Sequence, residues 1–406
     1  MKKFLSNYKS TIILIAAIIV GAIAGIVFKE KAAIVQPLGD IFLNLLLVVI
    51  VPLIFLTVTT SVAKMEQPKR LGKIIGSIVL VFVILSLVSV FVGFGVTKLV
   101  KLVDVEDTEK IKASFEEGET EDEDLSILER TVSLVTVNDF SKLLSRDNLI
   151  ALLLASILFG LAMNMSKEKS KPVLDFLISA NEIVNNMIKL IMYYAPIGLG
   201  CYFAALVGTF GASIAVGYLK TFIVYTVVSV LFFFIVYTIY AFIAGGKKGV
   251  IVYWKNVLPA TFTALATCSS AATIPVNIEC AKKIGVPDDI AETTIPLGTS
   301  FHKDGSIIGS MFKIMFLVCL LGTTKSTFAI LGIALIANLL VAAVPIGGGT
   351  ISEMLIITMM GYPVAALPIL TMIATIIDPP ATMLNAVGDT ASSMLVARIV
   401  DKKKEW

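Results

Sequence analysis

The chain has 406 residues, of which 57% are hydrophobic and only 16% charged, with a mean hydropathy of +0.92 and a formal net charge of +3. A soluble domain carries about a quarter charged residues, so a water-exposed fold cannot hide this much apolar surface. Most soluble enzymes and secreted disulfide scaffolds are thereby excluded. Nucleic-acid binders go too, because the charges lie in short segments between long apolar stretches and leave no basic face.

A bilayer core about 30 Å thick needs roughly 20 apolar residues per helix, at about 1.5 Å of rise each. Residues 11–28, 42–63, 71–99, 149–165, 173–207 and 217–244 reach that length. The first is too long and uninterrupted for a cleaved signal peptide and reads as a permanent span. Lys and Arg near span ends stay on the cytoplasmic side, so Lys2, Lys3 and Lys9 put the N-terminus inside. Lys64, Lys69, Arg70 and Lys73, then Lys167, Lys169 and Lys171, then Lys247 and Lys248 fall on the same side at alternate crossings. The acidic stretch 104–124 then lies outside as a solvated loop, and it lacks the D-x-D-x-D-G spacing of a calcium site. Cys201, Cys268, Cys280 and Cys319 show no C-x-x-C spacing and read as packing residues.

Beyond Gly245 the apolar runs are broken by small polar clusters and prolines: Ala266 to Pro275, Ser300 to Ser306, Val344 to Thr350, and Asp378 followed by Pro379 and Pro380. Backbone freed by Gly and Pro at membrane depth must be buried in protein or line a cavity, since lipid offers no hydrogen-bond partner. The segments 254–320 and 327–400 repeat one layout: an apolar arm, a small-residue break, a second arm, then a helix carrying polar residues. Two short hairpins entering from opposite sides, as inverted repeats, are the architecture of secondary transporters, with the site near the midplane. Asp304, Asp378 and Asp389 are charges within these segments, and intramembrane charges face a cavity or a partner. Asp389 follows Asn385 by one helical turn, so a carboxylate and an amide converge as hard oxygen ligands suited to sodium. The alternative is a carboxylate satisfied by backbone or by Lys303. Asp378 could hold an ammonium group or merely cap the following turn.

At these residues the chain resembles the dicarboxylate/amino acid:cation symporter family. The motifs are Ser269 and Ser270 with Thr273 and Pro275; Ile295 to Gly298 with Asp304, Gly305 and Ser306; Val344 and Pro345; and Thr382, Asn385 and Asp389. The resemblance runs over residues 11–400 apart from the acidic loop. It implies an all-α polytopic membrane protein with eight transmembrane helices, two re-entrant helical hairpins and an elevator fold, assembled as a homotrimer in the plasma membrane with both termini cytoplasmic. It divides the chain into scaffold helices at 1–70 and 148–210, a transport-domain helix at 71–100, an extracellular acidic loop at 101–147, and the rest of the transport domain at 211–406. It places one sodium ion at the Gly298 carbonyl, Asn385 and Asp389, with Asp304 and Ser300 as a further sodium position. It gives Asp378 the substrate ammonium, Thr382 and Asn385 the amino acid core, and the backbones at Ser269, Ser270 and Val344 the α-carboxylate. No organic cofactor or nucleic-acid partner is implied.

Departures from the family pattern are equally informative. Acidic amino acid and dicarboxylate members carry an arginine three residues after the equivalent of Asp378; here stands Ala381, whose methyl cannot fork onto a carboxylate. A neutral amino acid is the expected substrate, with Ser306 in place of a threonine beside its side chain. The family's Asn-Met-Asp-Gly-Thr becomes His302, Lys303, Asp304, Gly305 and Ser306. Phe82, Leu85 and Ser86 stand where third-helix oxygen ligands are expected, and Asn338 and Val341 replace a Ser and a Thr of another sodium site. Two readings stay open. In one, Lys303 is a tethered cation and His302 a titrating group, so that fewer sodium ions, or a proton, couple transport. In the other, both form a structural pair with Asp304, leaving one sodium site at Asp389. Glu353, a further acid in the second arm of hairpin two, could gate, titrate or be solvated at the outer mouth, and the last is the favoured reading. A channel, an acidic-substrate symporter and an intramembrane hydrolase are the rival functions. The hydrolase is weakest, because Ser269 or Ser270 with His302 is already explained by the repeat, and no H-E-x-x-H or G-x-S-x-G occurs.

Overall fold

A computed structural model describes residues 9–63, 69–103, 136–145, 148–210, 212–322, 325–339, 349–402 and 406, and among them there is no strand. Helix follows from the composition: a long apolar run in hydrocarbon must satisfy every backbone group within its own segment. The longer helices are α1 (Lys9–Phe28), α2 (Gln36–Ala63), α3 (Lys69–Leu99), α4 (Leu149–Ser166), α5 (Lys171–Phe210), α6 (Ala212–Leu231) and α7 (Tyr237–Thr267). They continue with α8 (Ser270–Ile284), α9 (Asp288–Phe301), α10 (Asp304–Leu321), α11 (Thr327–Leu339), α12 (Gly349–Met360) and α13 (Leu367–Val400). Among the described residues, four stretches are long and apolar enough to cross a membrane: Lys73–Leu99, Ile214–Leu265, Asp288–Leu321 and Val364–Val400.

The helices pack in two sets. α1, α2, α4 and α5 pack chiefly on one another, whereas α3 packs on α10 and α13, and α7 to α9 gather around α13. Small residues let the first set approach closely: a Cβ on Gly21 would overlap the backbone of Gly200, so α1 and α5 touch main chain to main chain.

Three details differ from the sequence reading. Residues 149–165 and 173–207 give helices joined by a short 3-10 turn, Lys167–Ser170, entered at Lys167 with φ 49° and ψ −128°. The path then bends by 51° between Ile191 and Tyr193, in the turn where Pro196 cannot supply the usual i+4 N–H to the Met192 carbonyl. The span at 217–244 runs on through a five-residue π segment and α7 as far as Thr267, turning at Gly245 and Gly246, the latter at φ +60°. The Trp406 ring sits against Gly245 and its Nε1 donates to the Ala244 carbonyl at 3.1 Å. Finally, α13 stays helical through Asp378, Pro379 and Pro380, where the sequence suggests a break. The prolines cannot donate to the Thr375 and Ile376 carbonyls, yet the surrounding ladder holds the course. Val341, Val344, Pro345, Gly347 and the acidic stretch 104–124 lie outside the described residues, as do Lys2, Lys3 and Lys64.

Candidate functional site

The first polar break, between α7 and α8, turns on Cys268, held left-handed at φ 47° and ψ 35°. Ser269 is extended and caps α8, its Oγ accepting from the Ala272 N–H at 3.2 Å. Both Ser269 and Ser270 are half-buried, at a helix start whose free N–H groups favour an anion. Farther along α8, Asn277 is buried and donates to the Ala386 carbonyl at 2.6 Å, while Thr390 donates to its Oδ1.

The second break separates α9 from α10. His302 and Lys303 leave helical geometry (φ −116°, ψ 115° and φ −143°, ψ 68°), and the chain resumes at Asp304. Asp304 is fully buried. Its Oδ1 accepts from Ser89 Oγ at 2.5 Å and its Oδ2 from Tyr237 OH at 3.1 Å. The Leu384 carbonyl lies closer to the same hydroxyl, at 2.7 Å, so the two acceptors share its one hydrogen and this point is tied to α13. His302 is equally buried and stacks on Phe82 with ring centroids 4.8 Å apart. Its Nδ1 lies 3.0 Å from Asp389 Oδ1 and its Nε2 lies 3.3 Å from Asp304 Oδ1, the latter at ion-pair distance without an aligned hydrogen bond. The structure thus brings His302, Asp304 and Asp389 together, with Lys303 half-buried beside them and Ser300 half-buried in the last turn of α9.

Asp389 keeps one fully buried carboxylate oxygen, Oδ2, without a hydrogen-bond partner. A buried charge of this kind costs several kcal/mol unless an opposite charge meets it. A Cβ on Gly298 would overlap the carboxylate, so the α9 backbone comes right up to it. The Thr299 hydroxyl, which gives its hydrogen to the Ile295 carbonyl at 3.0 Å, stands close by with a lone pair left over. An orphaned carboxylate oxygen beside a neutral hydroxyl suits a hard cation such as sodium, and the His302 ring and Lys303 also act on this carboxylate.

One turn nearer the middle of α13, Asn385 and Ser306 exchange two hydrogen bonds. The Ser306 N–H donates to Asn385 Oδ1 at 3.1 Å, and Asn385 Nδ2 donates to Ser306 Oγ at 2.9 Å. Thr382 Oγ1 donates to Asp378 Oδ1 at 3.3 Å. Asp378 is exposed, unlike the fully buried Asp304 and Asp389, and Ala381 is buried. The Gly305 carbonyl at the start of α10 accepts from Tyr225 OH at 2.8 Å. Polar groups of α10 and α13 thus meet at Ser306 and Asn385, one turn along α13 from Thr382 and its exposed partner Asp378.

Glu353 corrects its sequence reading. It is buried, with Oε1 3.3 Å from Lys313 Nζ on α10 and Oε2 accepting from Thr371 Oγ1 at 2.9 Å. A lysine within an otherwise apolar helix is the signal that pointed to a buried acidic partner, and sequence reasoning passed over it. Tyr237 and Ser89 were likewise missed, being ordinary residues in apolar helices.

Interrupted helices whose polar ends meet inside an apolar bundle are the build of a secondary transporter. Residues 11–399 match the model of the Sodium:dicarboxylate symporter family, and the chain belongs to that family. It is a family of membrane symporters, not enzymes. The chain is 28% identical to a proton/sodium-glutamate symport protein of Bacillus caldotenax, over 94% of this chain and 92% of the relative. It is 26% identical to a C4-dicarboxylate transport protein of Anaeromyxobacter sp. (strain K), over 94% and 88%. A C4-dicarboxylate transport protein of Pseudomonas syringae pv. tomato is 28% identical, over 95% and 85%.

Proposed function

We propose that the chain is a secondary active symporter that carries neutral L-amino acids with a cation, sodium or a proton, by elevator-type alternating access. In this reading α3 and α6 to α13 form the moving body of a homotrimer in the plasma membrane, and α1, α2, α4 and α5 the fixed scaffold. Asp378 receives the substrate ammonium, Thr382 and Asn385 the amino acid core, and the α8 start at Ser269 and Ser270 the carboxylate. The Gly298 carbonyl, Asn385 and Asp389 hold one sodium ion.

The observation that carries the substrate class is Ala381. A buried methyl stands where acidic-substrate members have a guanidinium, and a second carboxylate on the substrate would be desolvated without a partner. Lys313 offers no substitute, because Glu353 already occupies it. The relatives are named as glutamate and C4-dicarboxylate transporters, which favours the alternative of an acidic substrate.

Uptake into proteoliposomes separates the two. Labelled neutral amino acids should accumulate under a sodium or a proton gradient, and aspartate and succinate should not. Strong aspartate or dicarboxylate uptake overturns the neutral assignment. Counterflow of labelled substrate that saturates excludes a channel.

A further inference from the structure

We propose that Tyr225 is a positioning residue of the substrate site: acting through the Gly305–Ser306 peptide, its hydroxyl holds Ser306 and Asn385 in the geometry that meets the amino acid. The inference rests on the reading of Asn385 as a contact to the amino acid, and it adds α6, a helix that supplies no other residue to the site.

α10 starts afresh after the irregular backbone of His302 and Lys303. Its first turn has no preceding helical turn to fix it, and its first N–H groups have no partner within the helix. Position there is set from outside. The Ser306 N–H donates to Asn385 Oδ1 at 3.1 Å, and the carbonyl of the same peptide unit, that of Gly305, accepts from Tyr225 OH at 2.8 Å. One rigid plane is thus tied at both ends, to α13 by its N–H and to α6 by its C=O. A carbonyl oxygen has two lone pairs, so the hydroxyl adds to the helical bond without displacing it.

The packing around this plane leaves it little freedom. A Cβ on Gly305 would lie 2.3 Å from the Ala381 carbonyl oxygen, and one on Gly309, a turn later, would lie 2.8 Å from Ile377 Cδ1 and 3.7 Å from the Tyr225 ring. Two glycines four residues apart therefore seat α10 directly on α13, with Tyr225 beside the second of them. Tyr225 is fully buried, and its ring meets Phe312 in a T with centroids 5.3 Å apart, so packing sets the direction of its hydroxyl. Asn385 has both ends of its amide on Ser306, Oδ1 on the N–H and Nδ2 on the hydroxyl at 2.9 Å. A shift of the 305–306 peptide therefore turns Asn385 with it. The Tyr225 hydroxyl is spent on the backbone, and it reaches the substrate only through Ser306 and Asn385.

The test uses the full-length protein in nanodiscs. Tyr225→Phe removes the hydroxyl and keeps the ring against Phe312. Equilibrium binding is measured with labelled L-alanine, L-serine and L-aspartate, and the comparison is run with whichever binds the native chain. Kd should rise roughly three- to tenfold, the range of one neutral hydrogen bond, and in proteoliposomes KM should rise while the maximal rate holds. On a Ser306→Ala background the same change should cost less than half as much, because part of the linkage to Asn385 is already gone. Tyr218→Phe is the control: two turns earlier on α6, its hydroxyl donates to the Ile369 carbonyl at 3.2 Å, away from the site, and its loss should leave Kd unchanged. An unchanged Kd in Tyr225→Phe overturns the proposal, as does the full cost on the Ser306→Ala background or an equal loss in Tyr218→Phe. Binding of aspartate alone overturns the neutral reading, while the comparison on aspartate still decides the role of Tyr225. If none of the three binds, hydrogen exchange decides: residues 303–309 should exchange faster in Tyr225→Phe than in the native chain or in Tyr218→Phe, and equal exchange overturns the proposal.

Discussion

Lys313 Nζ and Glu353 Oε1 stand 3.3 Å apart with side chains only 6% and 1% exposed, joining α10 to α12 inside the bundle. Removing one partner strands the other charge in a low-dielectric interior, at a cost of about 3–5 kcal/mol. Glu353→Gln or Lys313→Met should therefore lower the unfolding temperature markedly. Replacing both by Met should recover most of the loss, and a double-mutant cycle on thermal unfolding measures the coupling.

By contrast, Lys282 and Glu292 are 2.6 Å apart at an exposed end of α8, and the glutamate holds the lysine above its ordinary pKa. Salt screens such a pair and water solvates it. Lys282→Ala should leave the unfolding temperature within error of the native value, whatever the ionic strength.

The Ala381 argument makes a substitution test of its own. Ala381→Arg supplies a guanidinium near Asp378, and a charge-assisted pair to a substrate carboxylate is worth about 1.5–3 kcal/mol. The ratio of aspartate to neutral amino acid uptake should rise by roughly ten- to a hundredfold. No rise in that ratio, in a variant that still transports, would mean that residue 381 does not set the substrate class.

Gly298 has no room for a methyl beside Asp389. Gly298→Ala should displace the carboxylate and raise the sodium concentration for half-maximal stabilisation by more than about tenfold, a shift exceeding roughly 1.4 kcal/mol of binding. Sodium titration of thermal unfolding gives the value directly.

The broken layout of the last third was legible in the sequence because Gly, Pro and small polar residues cannot be spent on lipid-facing helix. Asp304, Asn385 and Asp389 were legible as costly intramembrane groups. Partnership was not. His302 and Lys303 are adjacent, and only the irregular backbone between α9 and α10 determines which of them reaches between the carboxylates. Phe82 and Ser89 come to the same spot from more than 200 residues away in the chain, and Glu353 finds Lys313 across 40 residues. Such meetings depend on how helices pack, which local spacing does not encode. Asp378 shows the opposite error: two prolines in a row suggest a break, but neighbouring hydrogen bonds carry α13 through.

The Asn277 amide, clasped by the Ala386 carbonyl and by Thr390, bears on how the molecule can move. Prying α8 from α13 would leave the Asn277 amide and the Thr390 hydroxyl dry and without each other, so a path to water on that flank is opened more cheaply by carrying both helices together. A gate formed by parting them would begin at the turn around Cys268, where no such clasp is made among the described residues.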